Sequence, residues 1–287
     1  MNYSNKEKLK TKKKVKNIAS KIILYSFLFI GVAITFLPFL YMFLLATRSR
    51  AEIFSSIFSL MPGESFMDNY EILISNVPIW RNLLNSVFIS TTATILTVFF
   101  CSLGGYGFAK YNFKFKDHLF FSMLATMMIP GLLSIIPWFI MMNFFGWIDT
   151  FYPMIIPGIA NPFGIFLMTQ FMNSIPYDVI DAARIDGCGE FEIFLRIVLP
   201  MSKSGVGALS VLTFLGSWNL LMQPLLILQS SDMWTIPVAL TKLADQAGID
   251  HGAAMVAVII AIVPIITAYV IGSKSILKGV MEGATKG

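Results

Sequence analysis

Charges of both signs gather at helical spacing in one stretch of an otherwise apolar chain: Asp181-Ala182-Ala183-Arg184-Ile185-Asp186-Gly187, then Cys188 to Arg196 and Ile197-Val198-Leu199-Pro200. Such groups are costly in hydrocarbon, so the stretch must lie in water between two membrane spans. No nucleophile, base or metal-ligand set accompanies it. His118 and His251 stand alone at loop or boundary positions, and Cys101 and Cys188 are lone thiols with neither metal-site nor disulfide spacing. Gly272-Ser273-Lys274-Ser275 lacks the spacing of a phosphate-cradling loop, and no strand precedes Gly104-Gly105-Tyr106-Gly107. The chemistry on offer is reversible docking to a partner, with no bond made or broken.

Two short helices must position these charges. Pro176 suits the first turn of the first helix, with Asp178 and Asp181 towards the positive end of its dipole. Asp181 and Arg184 face each other at i,i+3, and Gly187 and Gly189 let the chain leave through a left-handed residue. Glu190 and Glu192 open the second helix, Glu192 pairs with Arg196 at i,i+4, and Pro200 stops it. The small Ala182 and Ala183 leave room for a partner's close approach.

This stretch resembles the signature loop of permease subunits of binding-protein-dependent ABC importers, Glu-Ala-Ala, three residues, Gly, nine residues, Ile, any residue, Leu-Pro. The match lies at Ala182, Ala183, Gly187, Ile197, Leu199 and Pro200, with Asp181 in place of the usual Glu, which keeps the charge and shortens its reach. Thr213-Phe214-Leu215-Gly216-Ser217-Trp218-Asn219 and Pro224-Leu225 resemble the carbohydrate branch and, within it, the maltose-type second permease. The resemblance implies an all-α integral membrane protein with six transmembrane helices in the ABC type I importer permease fold. It further implies one subunit of an ATP-driven sugar importer, with a companion permease, two cytoplasmic ABC ATPase subunits and an extracellular solute-binding protein as partners. ATP and Mg are then expected in the partner ATPase, with no cofactor in this chain. ATPase coupling would fall to Asp181, Ala182, Ala183, Arg184, Ile185, Asp186, Gly187, Ile197, Leu199 and Pro200. Among these, Asp181 and Asp186 would pair with basic residues of the ATPase, while Ala182, Ala183, Ile185 and Gly187 set the fit.

Composition leads to the same class independently. Of 287 residues 56% are hydrophobic and only 13% charged, with a mean hydropathy of +0.74, far beyond what a soluble domain of this size needs. Runs of about 20 or more residues free of Asp, Glu, Lys and Arg place six candidate spans. They lie near Ile22–Ala46, Leu83–Ala109, Leu119–Phe144, Phe151–Met172, Val206–Leu228 and Gly252–Ser273. Four parts follow: a lysine-rich tail over 1–21, a first helix and outer segment over 22–82, a five-helix core over 83–273 with the coupling loop at 173–205, and a second tail over 274–287. The first apolar run exceeds a signal-peptide core and reads as an uncleaved anchor.

The net charge of +5 carries topology. All but four of the 21 Lys and Arg, the exceptions being Arg48, Arg50, Arg81 and Lys242, fall before the first span, after the second, in the 184–203 loop or after the last span. The positive-inside rule puts both termini and the loop in the cytoplasm of a multi-pass cell-membrane protein. The lysines from Lys6 to Lys21 read as a solvated tail that touches anionic membrane lipid, with no call for nucleic acid.

The spans themselves, so divided, hold no ionisable acid or base, which argues against an ion-coupled carrier and against an enzyme. Energy must come from another chain. Pro130-Gly131 and Pro137 interrupt the third span and Pro153, Pro157-Gly158 and Pro162 the fourth; such breaks mark either a solute path or structural kinks. Asn85, Asn161, Gln170, Trp218, Asn219 and Gln223 are the candidates for contact with a neutral solute, although amides also join membrane helices. The segment Ser49 to Asn82, with Glu52, Glu64, Asp68, Glu71 and several large apolar side chains, reads as short surface helices that either dock an external partner or cap the outer mouth. Cargo other than sugar (a polyol, a glycerol phosphate or a peptide) and a receptor or scaffold without transport stay open at this point.

Overall fold

A computed structural model describes residues 3–55, 60–245 and 251–284. The side chains before residue 18, and those of Lys274, Lys278 and Lys286, lie outside the described residues, so the tail and terminal-lysine readings do too. The chain divides into two compact units, Met1–Ile72 with Asp250–Ile259, and Leu73–Ile249 with Ile260–Gly287.

In the first unit, α1 (Tyr3–Ala46) carries a continuous apolar stretch, Ser20–Ala46, of 27 residues. At about 1.5 Å per residue it is longer than the ~30 Å hydrocarbon layer. Its apolar side chains, Phe27 and Phe29 among them, are exposed on the chain itself, as lipid contact requires. The short α2 (Arg50–Ser55) starts on a reciprocal cap: the Ser49 N–H donates to Glu52 at 2.8 Å and the Glu52 N–H to the Ser49 hydroxyl at 3.4 Å. The Ser49 N–H, and then the Ser49 hydroxyl donating to the same carboxylate at 3.0 Å, hold the Glu52 carboxyl below the usual range. In α3 (Phe66–Asn76), buried Asn69 donates to the carbonyls of Ala46 and Arg48, both at 2.9 Å, and so closes the end of α1. The expected short surface helices are thus α2 and α3.

The second unit is built along α4 (Ile79–Lys110), a 32-residue helix against which α8 (Pro162–Asn173) and α12 (Lys203–Trp218) pack. Close approach explains the glycines. A Cβ on Gly105 would stand 2.7 Å from the Met168 Cβ and 2.9 Å from the Thr169 nitrogen, and one on Gly164 would stand 2.6 Å from the Cys101 sulfur. Glycine here lets the two backbones cross tightly. The start of α4 is equally specific: Asn82 donates to the carbonyls of Ser231 and Trp234, Asn85 to those of Asp232 and Trp234, and Ser86 accepts from the Ile236 N–H at 2.7 Å. These bonds seat α14 (Ile236–Asp245) on α4.

The expected third and fourth spans are interrupted. The third consists of α5 (Lys116–Thr126) and α6 (Ile135–Phe144), joined through a 3-10 turn at Gly131–Ser134 and bent by 88° across the Pro130-Gly131 break. The fourth consists of one turn, α7 (Tyr152–Ile155), an irregular stretch around Pro157-Gly158, and α8, whose start is capped by the Asn161 side chain accepting from the Gly164 N–H at 2.7 Å. Proline supplies no N–H and disfavours helix in the residue before it, which accounts for both breaks. The fifth runs as α12 and, after a break at Asn219, α13 (Met222–Ile227); the last is the apolar part of α15 (His251–Ala284). Among the described residues four helices are long and apolar enough to cross a membrane, or five with the bent pair, an arrangement compatible with six passes.

Opposite the loop end of this unit, Asp149 takes a left-handed conformation, φ +56°. Its carboxylate accepts from the N–H groups of Gln229 and Ser230 at 2.9 and 3.1 Å and from the Ser230 hydroxyl, and its own N–H donates to Ile227. This clasp ties the segment after α6 to the segment after α13.

Candidate functional site

Between α8 and α12 the charged stretch forms two helical pieces. The first, α9 (Tyr177–Ile185), begins at Pro176 with Asp178 in its first turn. It has two faces. Ile180 and Ala183 are buried in a core cluster with Met168, Met172, Ile193 and Phe194, whereas Asp181, Ala182, Ile185 and Asp186 point outwards, Ile185 at 87% exposure. Ile185 thus stands exposed between the Asp181 and Asp186 carboxylates, on the face opposite the buried Ile180 and Ala183.

The turn after α9 is closed by Gly187 at φ +86°. The Cys188 N–H donates to Ala183 and the Gly187 N–H to Arg184, both at 3.0 Å, the paired bonds of a glycine helix stop. The left-handed residue is Gly187, while Gly189 is extended at φ −70° and leads into the second piece. The second piece differs from expectation. After α10 (Glu190–Ile193) the chain widens into a π turn at Phe194–Val198 and continues through α11 (Leu199–Met201), so Pro200 lies inside the helical run and the stop comes at Ser202. The wide turn relieves the clash and lost bond that proline would impose four residues back. Ile197 and Leu199 are half-buried against the same core, and Ala183 is buried, so these three hold the loop in place from within.

One ionic network joins the two pieces. Arg184 donates from Nη1 to Asp181 at 2.9 Å and from Nε to Glu190 at 2.8 Å. Glu190 also accepts from the hydroxyls of Tyr111, in a short bond, and of Tyr106 at 3.3 Å. The Arg184 guanidinium, then Tyr111, hold the Glu190 carboxyl below the usual range; Glu190 in turn raises Arg184. Burial, then Glu190, pushes the Tyr111 hydroxyl up. Tyr106 is buried and stacks on Phe194 at 5.7 Å. At the other end of α9 the Lys110 ammonium donates to the Ile175 carbonyl and sits 4.5 Å over the Tyr177 ring, whose hydroxyl donates to Ala109 at 3.3 Å. The expected Glu192–Arg196 pair forms at 2.6 Å on the surface. Spacing alone did not reveal Glu190 as a junction. It lies six residues after Arg184, outside the i,i+3 and i,i+4 rule, and comes within reach because Gly187 reverses the chain.

A cavity of ≈ 500 Å³ opens between α4, the α7–α8 break and α12–α13. No charged side chain lines it; Thr97, Trp138, Asn161, Thr213, Ser217 and Gln223 supply its polar groups. The indole nitrogen of Trp138 and the hydroxyl of Ser217 are buried without a hydrogen-bond partner. Of the six solute-path candidates, Asn161 and Gln223 line this cavity. Asn85 is engaged with the Asp232 and Trp234 carbonyls, Trp218 is buried against Phe214, Asn219 donates back to Leu215 at 2.9 Å, and Gln170 faces outwards, so these four are not brought together. Among the described residues no group of three or more His, Cys, Asp or Glu is placed to hold a metal ion.

A helical membrane core that carries this charged loop matches a known family. Residues 102–280 fit the model of the binding-protein-dependent transport system inner membrane component. The chain belongs to that family. It is a permease subunit of the ABC importer class, a multi-pass membrane component and not an enzyme. It is 31% identical over 279 residues to the arabinooligosaccharides transport system permease protein AraQ of Halalkalibacterium halodurans, covering 96% of this chain and 100% of the relative. It is 30% identical to the diacetylchitobiose uptake system permease protein NgcG of Streptomyces coelicolor, covering 90% and 87% of the two chains. The fold matches a chain in the crystal structure of a bacterial ABC transporter involved in the import of the acidic polysaccharide alginate, with a TM-score of 0.80 at 21% identity, covering 90% of this chain and 97% of that one. The permease is thus similar along nearly its whole length to subunits of carbohydrate systems.

Proposed function

We propose that this permease forms half of the membrane pathway of an ATP-driven importer of sugars or short oligosaccharides, beside a companion permease, and receives its energy through the loop 181–200. The observation that carries the reading is the outward face of α9. Ile185 stands exposed between carboxylates, on a helix whose other face is locked into the core and whose one arginine is already engaged by Asp181 and Glu190. That face is acidic and apolar and suits a basic, apolar-floored groove on a cytoplasmic ATPase. Ala182, Asp186 and Gly187 complete the contact, with Ala183, Ile197, Leu199 and Pro200 supporting it from behind. The distribution of Lys and Arg supports a cytoplasmic loop and cytoplasmic termini. Two ATPase subunits bind ATP and Mg, and a solute-binding protein delivers cargo from outside.

The cavity supports a neutral cargo. Its amides, hydroxyls and indole suit sugar hydroxyls and ring faces, and its lining has no cation to balance a phosphate or uronate. Affinity purification from the native membrane, with mass spectrometry of what accompanies the chain, tests the reading. The expected partners are an ABC ATPase, a second permease and a solute-binding protein whose ligand is a neutral sugar. Recovery of the chain alone would refute it, as would a receptor-like complex without ATPase.

A further inference from the structure

The two ends of α9 are both fastened to the last turn of α4. At the entry, Lys110 and Ala109 engage Ile175 and Tyr177; at the exit, Tyr106 and Tyr111 meet the Glu190 carboxylate, which also takes the Arg184 Nε. The exit needs this fastening more. There the chain leaves α9 through the single left-handed Gly187, and the apolar seat of Ile180 and Ala183 is non-directional. The middle of the same helix borders the cavity: Ala93 and Thr97 of α4 line its wall. From Lys110 back to Thr97 is about 20 Å along one unbroken helix at ~1.5 Å per residue.

We infer that Glu190 is a positioning residue for transport, whose carboxylate locks the docking face of α9 to α4 so that displacement of that face moves the cavity wall as one body. The inference rests on the docking role proposed above. Glu190 itself is half-exposed and is bonded to Arg184, Tyr106 and Tyr111, so it serves the contact through the network it closes.

The test uses the complete importer in proteoliposomes, with neutral-sugar uptake, ATP hydrolysis and ATPase co-purification measured side by side. Glu190→Gln keeps the shape and removes the charge. It should retain the ATPase at the wild-type ratio while uptake falls about tenfold, the loss of charge-assisted hydrogen bonds in the coupling step, and more ATP is spent per solute. Tyr111→Phe should give a smaller fall. Arg184→Gln combined with Glu190→Gln should cost little more than Glu190→Gln alone, since both cut one link. Uptake by Glu190→Gln within about twofold of wild type would overturn the inference. So would a fall in uptake that merely tracks loss of bound ATPase, which would leave Glu190 a purely structural part of the fold. If the wild-type assembly itself holds no ATPase and imports nothing, the docking role fails first, and that outcome is read from the unmutated complex.

Discussion

Substitution of Gly187 isolates backbone conformation from packing. At φ +86° this residue lies where an L side chain is disfavoured, yet a Cβ built on it meets nothing within 4 Å. Any penalty is therefore conformational, about 1–2 kcal/mol for alanine. With a factor of ten per 1.4 kcal/mol, the docking geometry loses about 5- to 30-fold in population. If only that geometry binds the ATPase, apparent affinity falls by the same factor. Valine, branched at Cβ, should lose more, and asparagine, which tolerates the left-handed region, less. The assay is titration of purified ATPase against the permease in nanodiscs, with protease protection to confirm insertion. The order wild type, Asn, Ala, Val in rising Kd, with insertion unchanged, is the expected result. A valine variant that binds like wild type would refute the reasoning, and an asparagine variant as weak as valine would show that space rather than φ matters.

Gly105→Val should cost about 1–3 kcal/mol of stability by forcing α4 from α8, seen as a lowered Tm in detergent. Asn85→Leu removes two bonds to the 232–234 carbonyls and should open that loop to protease, at a cost of about 0.6–1.7 kcal/mol per bond, while sparing solute affinity. Burial alone would raise the Asp149 carboxyl, but the Ser230 hydroxyl and N–H and the Gln229 N–H outweigh it and hold it below the usual range. A depressed folded-state value means the clasp is at full strength above the ordinary carboxylate pKa of about 4 and fades as pH falls below it. The protection factors of residues 229–230, exchange taken relative to the intrinsic rate at each pH, should therefore fall on acidification in the wild type, and be low and flat with pH in Asp149→Ala.

How far the sequence carried can be judged from particular residues. Helix α9 was legible because Asp181 and Arg184 obey helical spacing and Gly187 marks its end. The apolar runs located the membrane passes but could not distinguish a straight helix from the 88° bend at Pro130-Gly131, since hydropathy is indifferent to direction. Solute contacts were poorly legible. An asparagine such as Asn85 has the same chemistry whether its amide meets a sugar or the Trp234 carbonyl, 149 positions away. Pro200 misled because a π turn can absorb a proline that would otherwise end a helix.

The broken third and fourth passes also bear on biogenesis. Helices α5, α6 and α8, of 11, 10 and 12 residues, each rise well short of the ~30 Å hydrocarbon layer. None can leave the protein-conducting channel as an independent stop-transfer segment with its broken ends bare to lipid. They must be retained until their neighbours emerge and partition as a packed group on α4, the one uninterrupted rod made before them in this unit.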